Sequence, residues 1–310
     1  MAQLSHIVEK EDEGRYVKEI LTQRMLLSSR LLKKIKVSGD IRLNGKHVRV
    51  RERVAEGDVV EAVYPDEESY FEPENIPLDV VYEDEDLLVI NKQAGLIVHP
   101  TNNFHSGTLA NALAWRMRER GESYKLRFVN RLDMYTSGLL IVAKNAHAQD
   151  FISHEMAANR VVKQYKAIVH GLVSCGGTVD APIGKDPNHV ARRIVTPDGY
   201  ASVTHYSVDE SFPGINYGQL EGFSLLDIKL DTGRTHQIRV HMTHLGHPLV
   251  GDELYARLYG YSENPQWMPR QALHAYHIEF MHPVKGRVIK VTTALPEDMK
   301  TCLEHIRGMK

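Results

Sequence analysis

Two polar segments set ionisable groups between apolar runs, and these are where chemistry is to be sought. The first is RFVNRLDMYTSGLLIVAK, residues 127–144. If Arg131, Leu132 and Asp133 are extended, alternation puts Arg131 and Asp133 on one face and Leu132 on the other. A carboxylate between apolar strands is costly unless a cation lies beside it, so Asp133 needs a positive neighbour. Held in that way, a carboxylate serves as a nucleophile or as a general base. The same pair on an open surface would be no more than a structural ion pair.

The second segment is LDTGRTHQIRVHMTHLGHP, residues 230–248. Its spacing predicts a helix from about Thr235 to Leu245, with Ile238, Met242 and Leu245 as the apolar stripe and Gly246 and Pro248 as stop signals. Arg234 then stands just before a helix N-terminus, where the dipole disfavours a cation. It needs an anion, for which Asp133 and a phosphate are both candidates. The run His236, His241, His244, His247 invites a metal reading. No Cys or acid accompanies the four within the run, however, and His241 falls close to the apolar stripe, as a packed core histidine would. No metal and no cofactor is expected.

The elements that must position these groups read as a mixture of helices and strands. DLLVINKQAGLIVHP predicts two strands joined by a turn at Gln93–Gly95. TLANALAWRMRERG has the helical spacing of Leu109, Ala112, Leu113 and Met117, and GLLIVAK is a buried strand. Asn145 caps a further helix whose inner face holds Ala148, Phe151, Ile152 and Met156. VVKQYKAIV alternates as a strand with Lys163 and Tyr165 on one face. SLLDIKL sets Leu226, Ile228 and Leu230 against Asp227, Lys229 and Asp231. His282-Pro283 reads as a turn before a hairpin. No regular βαβ alternation emerges, which disfavours a doubly wound parallel sheet.

NRLDMYTSGLLIVAKN, KQYKAIVHG and LDTGRTHQIRVHM, in this order, resemble the signature segments of the RluA-type pseudouridine synthases. The resemblance extends to GLIVHP upstream and to HPLVGDELY and ALHAYHIEF downstream, and so covers residues 79–295 or so. It implies an α+β catalytic domain with a largely antiparallel central sheet and a cofactor-free isomerisation of uridine in RNA. On that resemblance Asp133 is the essential aspartate and Arg131 is associated with flipping the target nucleotide and filling its place. Tyr165 packs against the target base, and Arg234 pairs with the aspartate. Apart from the resemblance, Lys163, on the strand face of Tyr165, is expected to touch phosphate. The residue before Arg-Leu-Asp, usually His in the family, is Asn130 here.

The N-terminal part carries a different signal. From Arg15 to Arg53 there are twelve Lys or Arg and three Asp or Glu, a balance of +9, whereas residues 55–86 hold thirteen acids and no base. The formal total of −2 hides both. Clustered basic charge is the footprint of a phosphate-backbone binder. Two short helices near 15–24 and 28–36, the second capped by Ser28 or Ser29 and closed by Gly39, precede a hairpin turning at Asn44-Gly45 and the strand VVEAV. This order resembles the alpha-L RNA-binding domain. Arg30, Lys33 and Lys34 on the second helix, and Lys46, Arg49, Arg51 and Arg53 beyond the turn, are its RNA-binding candidates. Residues 1–64 are therefore expected to form an RNA-binding domain, 65–78 an acidic linker and 79–310 the catalytic domain.

Cys175 and Cys302 make neither a disulfide framework nor a recognised metal site. The sequence has no bilayer-length apolar run, and MAQLSHIVEKEDEGR lacks a signal-peptide core. A cytoplasmic monomer acting on ribosomal or transfer RNA is the expectation. A binding factor without catalysis, and a carboxylate-driven nucleoside or glycoside hydrolase, are the competing classes.

Overall fold

The computed structural model describes residues 3–65, 67, 69–100, 105–261 and 265–309. Its N-terminal part is a four-stranded antiparallel sheet, in the order β1(Gln3–Ile7), β4(Val59–Val63), β2(Asp40–Leu43), β3(Lys46–His47). The predicted turn between β2 and β3 has positive φ at both Asn44 (51°) and Gly45 (77°), which matches the twist of a tight hairpin. The first expected helix begins as α1(Val17–Glu19) and widens into a looser turn over Ile20–Arg24. The second is α2(Ser29–Ser38), where Ser28 accepts the Leu31 amide at 3.1 Å and Gly39 closes the last turn. Val17, Ile20, Leu21, Leu31, Ile35 and Val60 form a core within this part. β1 was not foreseen, because QLSHI is mostly exposed and has too few apolar residues to announce a strand.

Between β4 and β5(Val80–Glu83) the described chain has no regular structure, as the prolines predict. Yet it is no free tether. Glu67 binds Arg127, Lys125 and, from α2, Lys34. Ser69 accepts the Leu126 amide at 2.7 Å, and Glu74 accepts that of Gly107 at 3.0 Å. Phe71 and Ile76 pack on the main core. The acids that made this stretch look like a solvated linker find cations and amides on the unit that follows.

That unit is built on a ten-stranded sheet. Its strands are β5, β6(Leu87–Lys92), β7(Arg127–Phe128), β8(Ser137–Ala143), β9(Val162–His170), β10(Gly177–Asp180), β13(Val203–Tyr217), β14(Leu220–Leu230), β15(Leu273–Met281) and β16(Val288–Thr292). The main path runs β10-β13-β14-β9-β15-β8-β6-β5, with β7 on β8 and β16 on β15. Every pair is antiparallel except β15 with β8. A side hairpin, β11(Ile183–Lys185) with β12(Arg193–Val195), stands apart from the sheet. The fold is α+β, as the sequence predicts.

Alternation along the strands divides the interior. Tyr165, Ala167 and Val169 of β9 and Leu226, Ile228 and Leu230 of β14 face α3(Leu109–Arg120) and α5(Gln237–His244). Ile168, Phe223 and Leu225 face α7(Glu297–Gly308) instead. Leu87, Val89 and Ile141 meet α4(Ala146–Ala157), which Asn145 caps through the Ala148 amide. The short α6(Glu253–Ala256) follows α5 and is capped by Asp252. The second strand expected in DLLVINKQAGLIVHP is absent. After Gly95 the chain makes one isolated bridge, Ile97 to Thr108, because it is turning to start α3. Leu245, placed in the α5 stripe by its spacing, lies beyond the helix end and is exposed.

Candidate active site

Asp133 lies in the loop between β7 and β8, on the edge of a cleft of about 1070 Å³. Burial alternates there as expected, with Leu132 buried and Arg131 exposed. Three contacts fix the loop. The Asn130 side chain accepts the Ile141 amide at 2.8 Å, so the residue that replaces the family's usual His anchors the loop to β8. The Asp133 carbonyl accepts the Thr136 amide at 3.1 Å. Beneath it, the fully buried Lys92 donates to the carbonyls of Met134, Gln93 and Leu96 at 2.9–3.0 Å. Burial pushes the Lys92 pKa down to about 7.

Tyr165 and Lys163 share one face of β9 and line the same cleft. Tyr165 is buried, and that burial, with the charge of Asp133, raises its phenol above the ordinary range, so the hydroxyl is protonated at neutral pH. Burial lowers the Lys163 pKa, against the pull of Asp231.

The cation beside Asp133 is not Arg234. That side chain donates to the Ala201 carbonyl at 3.2 Å and stacks over Tyr200, 5.5 Å from the ring centre. Arg239 takes the place instead, with Nη1 3.4 Å from the Asp133 carboxylate. The reason is local. α5 starts at Gln237, two residues later than the spacing suggests, behind His236 in a left-handed conformation (φ 59°). The buried Gln237 side chain staples the preceding loop, accepting the Arg234 amide at 3.0 Å and donating to the Val203 carbonyl at 3.0 Å. This turns Arg234 outward, while Arg239, in the first turn of α5, faces the aspartate.

Arg239 is itself held by the fully buried Asp252, through two hydrogen bonds of 2.7 Å. Burial works against its charge, but Asp252 and then Asp133 outweigh this and hold the pKa above the ordinary value. His236 lies 3.8 Å from the Asp133 carboxylate, and its Nδ1 meets the Tyr255 hydroxyl at 3.0 Å. Burial pushes its pKa down to about 4, so the ring is neutral at pH 7. Sequence reasoning missed Arg239, Asp252, His236 and Lys92 as parts of the site. For Arg239 a signal existed, since Ile238 and Met242 point inward on either side of it in the helix.

Arg131 donates to the Thr235 hydroxyl, which bridges the two signature segments. The other histidines of the run part company: His241 is buried between Thr204 and the Ala181 carbonyl, His244 is exposed, and His247 meets the His170 carbonyl. The seven N-terminal candidates are all exposed, but two are engaged. Lys34 is paired with Glu67, and Arg53 donates to the Gly14 carbonyl and stacks on Tyr16. No side-chain hydrogen bond or ion pair within the described residues holds Arg30, Lys33, Lys46, Arg49 or Arg51.

A carboxylate, a buried tyrosine and a fixed arginine thus meet beside an open cleft on a largely antiparallel sheet. A model of the RNA pseudouridylate synthase family matches residues 86–244, and the chain belongs to that family. Ribosomal large subunit pseudouridine synthase D of Xylella fastidiosa is 41% identical over 295 residues, covering 90% of this chain and 84% of that protein. YjbO of Bacillus subtilis, described as an uncharacterized RNA pseudouridine synthase, is 39% identical over 90% of this chain and 95% of its own length. Among solved structures, human RNA pseudouridylate synthase domain containing 1 is similar with a TM-score of 0.56 and 26% identity, over 77% of this chain and 98% of that one. The protein is an RNA pseudouridine synthase, an isomerase, as the motif segments imply.

Proposed function

We propose that this enzyme isomerises uridine in large-subunit ribosomal RNA, with Asp133 as the carboxylate that acts on the nucleoside. The observation that carries this reading is the placement of Asp133 beside Arg239 and Tyr165 at one end of an open cleft. The reaction breaks the N1–C1′ bond, turns the base and joins C5 to C1′, with the C5 hydrogen released and a proton gained at N1. It needs no redox partner. Asp133 serves as nucleophile or as the base that takes a sugar proton. Arg239, anchored on Asp252, orients that carboxylate in a partly desolvated site. Tyr165 lies under the turning base. Arg131, exposed at the rim, fills the space that the uridine leaves when it is drawn from its stack. Lys163 meets the backbone phosphate within the cleft.

Ribosomal RNA is preferred over transfer RNA for two reasons. The relatives include enzymes named for the ribosomal large subunit. The N-terminal unit, residues 1–64, also presents Arg30, Lys33, Lys46, Arg49 and Arg51, which have no hydrogen-bond or ion-pair partner for their side chains among the described residues. We place residues 65–78 as a docked connector and 79–310 as the catalytic domain, in a monomer working in the cytoplasm. No helix among the described residues is long and apolar enough to cross a membrane.

A large-subunit ribosomal RNA transcript carrying tritium at uridine C5 tests the reading. The expected result is release of tritium to water with no free base. Asp231 lines the same cleft as Asp133, so free uracil as the main product would mean a hydrolase.

A further inference from the structure

Beside the catalytic cleft lies a second recess of about 380 Å³, and the two share Arg131, Gly233, Arg234 and Thr235 as lining. Its far wall is the side hairpin β11–β12 and the turn that follows it. We propose that this recess binds an unpaired nucleotide next to the target uridine in the RNA chain. The inference rests on the proposed function and extends it to how the enzyme reads the surroundings of its target.

Three observations carry it. The first is charge. Every charged residue lining the recess is a cation, namely Arg131, Lys185, Arg193 and Arg234. Within the described residues none of the four is in an ion pair, whereas the nearby Arg192 is taken by Asp186. Four cations turned to one space with no acid among them make a site for a polyanion.

The second is Tyr200, which is 72% exposed although its backbone is tied to a neighbouring strand. Its amide and carbonyl exchange hydrogen bonds of 2.9 Å with Ile183. The chain before it is pressed so close that a side chain on Gly199 would lie 2.5 Å from the Ile183 backbone, and one on Gly184 would lie 2.5 Å from Thr196. A large ring left in water on a rigid backbone, with the Arg234 guanidinium over it, is a stacking platform for a base. A volume of 380 Å³ suits one nucleotide.

The third is coupling to the catalytic machinery. The Arg193 amide donates to the Tyr255 hydroxyl at 2.9 Å, and that hydroxyl meets His236 beside Asp133. The hairpin wall is thus braced against the catalytic loop, so a base stacked on Tyr200 sits in fixed relation to the uridine. Single-stranded loops, whose bases are splayed out, are the RNA that such a pair of sites accepts.

The test uses the full-length protein, with Tyr200→Ala, Tyr200→Phe and Arg193→Gln. One assay follows tritium release from the labelled ribosomal transcript. The other follows the anisotropy of a fluorescein-labelled single-stranded RNA decanucleotide. Stacking of a base predicts that Tyr200→Ala lowers kcat/KM and decanucleotide affinity by about 5- to 100-fold, chiefly through KM, and that Tyr200→Phe restores both to within about twofold. Arg193→Gln should lower the salt dependence of binding, by up to about one unit of log–log slope. Equal behaviour of Tyr200→Ala and wild type in both assays would overturn the proposal. So would equal impairment of the alanine and phenylalanine variants, because that would mark a structural role. If the wild type released no tritium at all, the proposed function would fail, while affinity lost with alanine and regained with phenylalanine would still support the recess.

Discussion

Arg239 answers to two carboxylates, one fully buried and one facing the cleft, and this divides its work. The bidentate bonds to Asp252 fix the guanidinium plane, leaving Nη1 to reach Asp133 at 3.4 Å. Truncating it strands Asp252 as a buried unpaired charge. Arg239→Gln should therefore cost about 3–5 kcal/mol of stability and most of the turnover. Arg234→Gln should leave the melting temperature within a degree or two, since its side chain is exposed and bonded only to a carbonyl. Thermal melts with single-turnover assays separate the two. At this scale strand alternation made legible that Lys163 and Tyr165 share a face, while only the order of the motif segments set Asp133 with them. The partner of Asp133 was not. Which arginine meets it depends on where α5 starts, and that is set by a left-handed His236 and a buried Gln237, neither of which a propensity reading anticipates.

The elements hold the site through one unusual junction. β8, which follows the Asp133 loop, pairs in parallel with β15 over only two residues, His274 with Ser137 and Ala275 with Gly138. Gly138 has φ 114°, and a side chain there would lie 2.2 Å from the Ala275 carbonyl oxygen. Gly138→Ala is expected to destabilise the protein by about 3 kcal/mol or more and to displace the catalytic loop with the strand. Urea unfolding measures the first effect and tritium release the second. The strands of this junction were readable as GLLIVAK and ALHAYHIEF, and β14 was readable from the alternation of Leu226, Ile228 and Leu230. Their pairing was not, since the contact joins segments 137 residues apart and one glycine permits it. Nor was the docking of residues 65–78, whose prolines and acids have the composition of a free linker whether or not cations await them.

Across the whole molecule, charge is sorted by use. Part of the acidic stretch is paired internally: Glu67 with Arg127, Glu83 with Arg116 and Lys144, and Asp84 with Lys285. In the basic N-terminal unit, Arg30, Lys33, Lys46, Arg49 and Arg51 have no side-chain hydrogen bond or ion pair among the described residues. On the proposed function, those cations set the salt dependence of RNA binding. Replacing Lys33, Lys46 and Arg49 together with Gln should flatten the log affinity–log salt slope by up to about 2–3 units while leaving the catalytic cleft intact. Titration of RNA binding at several salt concentrations reads this directly, and an unchanged slope would mean the cluster is only a solvated surface.

Asp133 is the residue proposed to carry the isomerisation. The most direct test compares wild type with Asp133→Asn on ribosomal RNA labelled with tritium at uridine C5, with RNA affinity measured alongside. Asparagine keeps the size of the side chain and removes the charge that Arg239 orients. Wild type should release tritium and the variant none above background, with RNA affinities within about threefold of each other. Tritium release by Asp133→Asn at the wild-type rate would contradict that role.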